Sequence, residues 1–360
     1  MRKKYRALLY FSILFIIVSC GGGTHDDASS ASIYAYVVNY DGPSISQYKL
    51  SEDGSLESLS PDIITPGFGP YSIAVHPNNK FVYVSQYHSN SVSQYTIGPS
   101  GILSPMPTAE VTADNSPISI AVHPSGQFVY VTNMESNNIS QYSIGVNGSL
   151  SPLSPPAVVA GLGPNSIAID PSGTHAYVAN AYSNDISQFS IANDGTLSEL
   201  VSPIISGNTP RSVAINSTDS ALYVVNNSDN NLSQFTIWPD GSLSVMSPFL
   251  VQTGSLPASV TINMTNNTVY VANIGDSISV FDIGENGKLT NNSTISAPVN
   301  SWPSSIVVDP SGKFAYSTNA NSDEISQYMV SSGKSLSEMP VPRITAGNYP
   351  SSIAITQPSN

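Results

Sequence analysis

Apolar residues fall along this chain in short runs broken by Pro, Gly, Asn and Asp, and four such runs make one unit that returns many times. The third unit shows the pattern in runs 119–122, 128–132, 139–144 and 156–160, rich in β-branched and aromatic residues. These read as four strands, A to D. Pro124-Ser125-Gly126 turns A into B, and Asn147-Gly148 predicts a type I′ hairpin between C and D. No run is long enough or periodic enough for a helix.

Self-comparison fixes the repeat. A Tyr recurs at Tyr36, Tyr83, Tyr130, Tyr177, Tyr223, Tyr270 and Tyr316, in steps of 46 or 47 residues. Three residues after each comes an amide, Asn39, Gln86, Asn133, Asn180, Asn226, Asn273 and Asn319. A turn glycine recurs from Gly54 to Gly333, and a Pro-x-Ser step from Ser72 to Ser352. Four antiparallel strands at this period predict an all-β, seven-bladed β-propeller. Its first unit begins at strand B, residues 33–38, whereas the chain ends on a strand A, 351–355, with no B after it. Pairing the two completes one blade and closes the ring, placing the propeller at 33–357.

The opening segment has different chemistry. Arg2, Lys3, Lys4 and Arg6 precede an apolar run from Ala7 to Ser19, too short to stay across a bilayer. It reads as a signal peptide, 1–19. Its end, Ile17-Val18-Ser19-Cys20, resembles the bacterial lipobox, which implies cleavage before Cys20 and lipidation of that Cys. The chain has one Cys, so no disulfide competes for it. Residues 20–32 form the lipidated Cys and a Gly- and Ser-rich flexible linker. The expectation is an exported protein, lipid-anchored in the bacterial cell envelope and, from the Gly after Cys20, at the outer membrane.

Charge narrows the partners. With 11 Lys+Arg, 24 Asp+Glu and a formal charge of −13, the chain offers nothing to neutralise phosphates, so nucleic acid is excluded. The membrane is reached through the lipid alone. A monomer is expected, without cofactor or metal. His76 and His123 occupy A–B turns where Asp170 and Asp309 stand in sister blades, an exchange that suits turn capping.

Tyr130-Val131-Thr132-Asn133, with Ser119-Ile120-Ala121-Val122-His123-Pro124-Ser125-Gly126, is similar to the YVTN-repeat, lactonase-type propellers of bacteria, and the resemblance covers all seven blades. It implies the propeller fold, and in some relatives the opening of 6-phosphogluconolactone or the cyclisation of muconate derivatives. It transfers no catalytic residue.

Alternating strand direction puts the D–A and B–C connections on one face, the top. Its inner rim carries the residue between Pro and Ser in each step, including Tyr71, Asn165 and Arg211, and its B–C loops carry Tyr87, His88, Glu135 and Tyr182. These vary between blades on a constant frame, as a binding surface does. Tyr71, Tyr87, Asn165 and Tyr182 are therefore ligand-binding candidates. His88, Glu135 and Arg211 could supply a base, an orienting carboxylate and an oxyanion-stabilising cation. The amide ring and the serines of Pro-x-Ser, by contrast, are expected to satisfy buried backbone, and the Gln of each C strand to fill space between blades. Two functions follow: a lipid-anchored scaffold whose top face binds a protein or glycan, or a lactone hydrolase working at the central channel.

Overall fold

The computed structural model describes residues 32–61, 63–64, 67–218 and 220–358. Cys20 and the whole signal and linker region lie outside the described residues. All regular structure among the described residues is β-strand. The strands form seven sheets, six of them simple four-stranded meanders such as Pro117–Val122, Phe128–Asn133, Asn138–Ile144 and Leu150–Val159 in blade three. The seventh sheet is completed by the C-terminal strand, Pro350–Ile355, which pairs antiparallel with Ile33–Asn39 in the register Ala35↔Ile355 and Val37↔Ile353. The ring closes as the sequence predicts.

Strand B is apolar on both faces because each face meets a different neighbour. In blade three Val129 and Val131 pack toward blade two, and Tyr130 packs toward blade four. The core consequently divides into seven clusters, one at each blade interface, and the interface of blades seven and one is built from Tyr316, Ile325, Ala35, Val37 and Ile353. Each repeated Tyr also donates its hydroxyl across the interface to a hairpin carbonyl of the next blade, as Tyr130 does to Gly195 and Tyr316 to Gly54, at 2.7 and 2.6 Å. Burial pushes these phenols well above their ordinary value.

Four details depart from the sequence reading. Asn147-Gly148 is not a type I′ pair: only Gly148 is left-handed (φ 84°), its amide donating to Gly145, which makes a type I turn with a glycine bulge. Strand D starts directly after that turn, at Leu150. In blade seven the left-handed hairpin position belongs to Lys334 (φ 68°) and not to Gly333, and the Lys334 carbonyl accepts the Tyr270 hydroxyl. The C-strand glutamines do more than fill space. Gln141 accepts the Leu197 amide of the next blade at 2.7 Å and donates to Pro155 in its own blade at 3.1 Å. The amides on strand B donate within their blades, as Asn133 does to Ser140, and Asn226 also accepts the Gly207 amide of the D–A connection.

The A–B turns cap as expected. His123 accepts the Ser125 amide, and its other ring nitrogen lies 2.8 Å from the Gly173 carbonyl of the next blade. Asp170 accepts the Thr174 and His175 amides. Burial alone would push its carboxyl up, but donors from His175, Ser172 and Thr174 together hold it below the ordinary carboxylate value. A depressed carboxyl stabilises the fold fully above its unfolded value, near pH 4, and that stabilisation is lost as pH falls through the folded value. Asn216 fills the same place in blade five with the same two amides. Asp170→Asn should therefore fold and show a smaller drop in urea midpoint between pH 6 and pH 3 than the parent. Parallel drops would refute this role for Asp170.

Candidate functional site

Each Pro-x-Ser step is a β-bulge. In blade two Pro70 pairs with Gln86 and Ser72 with Ser85, leaving Tyr71 opposite nothing, and the same shift recurs at Asn165, Arg211, Ala258 and Ser304. A bulge re-aims its extra residue. All seven extra residues, Tyr71, Ile118, Asn165, Arg211, Ala258, Ser304 and Ser351, line one open chamber of about 160 Å³ at the top of the ring. The adjoining serines are structural. Ser166 accepts the Val213 amide and Ser212 the Val260 amide, pinning neighbouring inner strands together.

The chamber lining contains no carboxylate, imidazole or thiol. Its one cation is Arg211, half-buried, and no hydrogen bond or ion pair joins it to any described residue. Asn165 is likewise half-buried with its amide uncommitted among the described residues. A guanidinium held in a concave site without a counter-charge is set to receive one.

Of the proposed catalytic trio, only Arg211 lines the chamber. His88 lies in an aromatic group, its ring 5.0 Å from Tyr87 and its Nε2 2.8 Å from the Tyr40 hydroxyl. Glu135 accepts a long bond, 3.4 Å, from the Tyr182 hydroxyl. No contact among the described residues joins the three. The shared face was legible from strand direction, but of the B–C loops it is Ile274 and Ala320 that reach the chamber, and His88 and Glu135 do not line it. Of the ligand-binding candidates, Tyr71 and Asn165 line the chamber. Tyr87 backs Tyr71 at 6.0 Å, and Tyr182 is exposed beyond them. Tyr40, edge-on to Tyr71 at 5.9 Å, joins this group; its phenol is raised by burial and by the Tyr87 and Tyr71 phenols, so it stays protonated at neutral pH.

Sequence reasoning missed a second set of lining residues, Trp302 and Tyr349. Both immediately precede the Pro of their step. The backbone there is left-handed in all seven blades, at Gly69, Ser116, Gly163, Thr209, Leu256, Trp302 and Tyr349. The B–C loop fixes it from both sides: Asp323 accepts the Tyr349 amide at 2.8 Å, and the Tyr349 carbonyl accepts the Tyr40 amide at 2.9 Å. The recurrent Asn or Asp of the B–C turn was the available signal. Among the described residues no group of three or more His, Cys, Asp or Glu could hold a metal ion.

No curated protein is a significant match to the chain. Solved structures share its fold at low identity. A putative 6-phosphogluconolactonase from Bacteroides uniformis has a TM-score of 0.80 at 16% identity, covering 91% of this chain and 100% of its own. Another from Bacteroides fragilis has 0.78 at 17%, covering 94% and 100%. The periplasmic gluconolactonase of Pseudomonas aeruginosa has 0.78 at 16%, covering 90% and 99%. At such identities these likenesses speak for the fold alone. The model of the family "Lactonase, 7-bladed beta-propeller" matches residues 20–247 and again 241–348. With seven four-stranded blades and this match along most of its length, the chain belongs to the seven-bladed β-propeller lactonase family.

Proposed function

We propose that this protein opens neutral sugar lactones in the chamber at the top of its propeller. The observation that carries the proposal is Arg211, an uncommitted guanidinium in an open chamber whose described lining holds no counter-charge. Family membership favours this reading over a scaffold that binds protein or glycan. The lactone carbonyl oxygen faces the Arg211 N–H groups, and water adds to the carbonyl carbon. Arg211 stabilises the tetrahedral oxyanion, the ring C–O bond breaks, and the departing oxygen takes a proton from water. The products are a hydroxy-carboxylate and one released proton. With no carboxylate or imidazole among the described lining residues to act as general base, the chamber contributes positioning and electrostatic stabilisation, and solvent supplies the nucleophile.

A single cation within a chain of formal charge −13 favours uncharged lactones over phosphorylated ones, which recruit several cationic or backbone donors. An exported, lipid-anchored location, as the first twenty residues suggest, agrees with a substrate met outside the cytoplasm. The test is proton release, in a pH-stat, from D-glucono-1,5-lactone and from its 6-phosphate. The expected result is turnover above the spontaneous rate, with kcat/KM about tenfold or more in favour of the neutral lactone. No acceleration of either lactone would refute the proposal.

A further inference from the structure

We infer that Trp302, Tyr349 and Tyr71 form a stacking subsite for a second, neutral pyranose ring, so that the substrate class is the lactone of an uncharged disaccharide. The substrate assignment rests on the lactone reading above, whereas the affinity of this subsite for a neutral sugar does not.

The first argument is conformational. A bulky side chain in the left-handed region is disfavoured, and blades two and four avoid the difficulty with Gly69 and Gly163 at the same position. Thr209 (φ 56°), Leu256 (φ 54°), Trp302 (φ 53°) and Tyr349 (φ 54°) accept it, and of these the two aromatics line the chamber. Both nevertheless keep a large open face, being 43% and 38% exposed. Trp302 has no ring partner among the described residues. Packing therefore leaves part of each ring free to meet a ligand, and strain of this kind collects at functional sites.

The second argument is placement. Their backbones are fixed by Asp276 and Asp323, which accept the Trp302 and Tyr349 amides, so the side chains are presented by a rigid frame. Both line the chamber that holds Arg211. From Tyr71 and Tyr349 the aromatic surface continues outward through Tyr40, whose ring lies 5.9 Å from each, to Tyr87. The chamber thus carries Asn165 and Arg211 on the side of blades four and five, and Trp302, Tyr349 and Tyr71 on the side of blades seven, one and two.

The third argument is chemical match. A pyranose offers apolar C–H faces and a rim of hydroxyls, and it is uncharged. Aromatic rings with polar tips meet the first, and Asn165 with the phenol hydroxyls meets the second. A lactone ring seated at Arg211 would place an attached sugar against the aromatic side of the same chamber.

The test uses the full chain carrying Trp238→Phe, which leaves Trp302 as the single tryptophan of the protein. Cellobiose, which has no lactone, is titrated while Trp302 emission is followed. A saturable change is expected, weakened about tenfold by Tyr349→Gly. Glycine already stands at this position in two blades, so Tyr349→Gly and Trp302→Gly should melt no lower than the parent. In hydrolysis the same two variants should lower kcat/KM for cellobionolactone about tenfold while moving D-glucono-1,5-lactone less than about twofold. Trp302→Tyr should restore the preference. An absence of saturable emission change, or equal losses on both lactones, overturns the inference. Should no lactone be hydrolysed at all, the lactone reading fails, and a saturable emission change would still establish the sugar subsite.

Discussion

A protein ending at Pro350 is expected to melt on the order of 10 °C below the full chain. Residues 351–355 supply the inner strand of the first blade, and Ile353 and Ile355 are buried in the cluster between blades seven and one. Losing two buried isoleucines costs about 3–6 kcal/mol. Thr356, which accepts the Tyr34 amide, leaves with them, and strand 33–39 becomes an open edge. The sum is comparable with the whole stability of a typical domain, about 5–15 kcal/mol. Thermal unfolding followed by far-UV circular dichroism provides the check. An unchanged midpoint would show that the ring does not depend on this strand.

Arg211→Ala is expected to lower kcat for a neutral sugar lactone about 100- to 1,000-fold, equivalent to about 2.7–4 kcal/mol of transition-state stabilisation. The effect should fall mainly on kcat, because the developing oxyanion carries more charge than the ground-state carbonyl. Arg211→Lys should recover part of the rate, since a point charge remains while the planar fork of donors is gone. Neither change should lower the melting temperature appreciably, as Arg211 bonds to no described residue. A kcat within about threefold of the parent in Arg211→Ala would remove Arg211 from the chemistry.

The repeat was legible because a propeller imposes one environment seven times. Tyr130 and its six counterparts each donate to a hairpin of the next blade, so both residue and spacing persist in the sequence. Closure was legible for the same reason, a strand A at 351–355 lacking its B. Backbone geometry was less so: Asn-Gly is compatible with several hairpins, and only the φ of Asn147 separates a type I′ turn from a type I turn with a bulge. Lys334 illustrates the limit of pattern matching, since Gly333 beside it invites the wrong alignment.

The candidate site was half legible. Position between Pro and Ser was enough to place Tyr71, Asn165 and Arg211 on the inner rim, because a bulge there acts on whatever residue it receives. His88 and Glu135 share the face but do not line the chamber, and loop reach is set by side-chain direction, which strand order does not encode. Trp302 and Tyr349 escaped notice because a residue before Pro is normally extended; here the B–C turn holds it left-handed and turns its side chain toward the chamber.

The most direct test of the central claim is a crystal structure of the protein soaked with D-gluconate, the ring-opened product of D-glucono-1,5-lactone. Lactone opening at Arg211 predicts the product carboxylate inside the chamber, within hydrogen-bond distance, about 2.7–2.9 Å, of the Arg211 guanidinium. Gluconate bound elsewhere, or a chamber that stays empty in a protein that still hydrolyses the lactone, would contradict it.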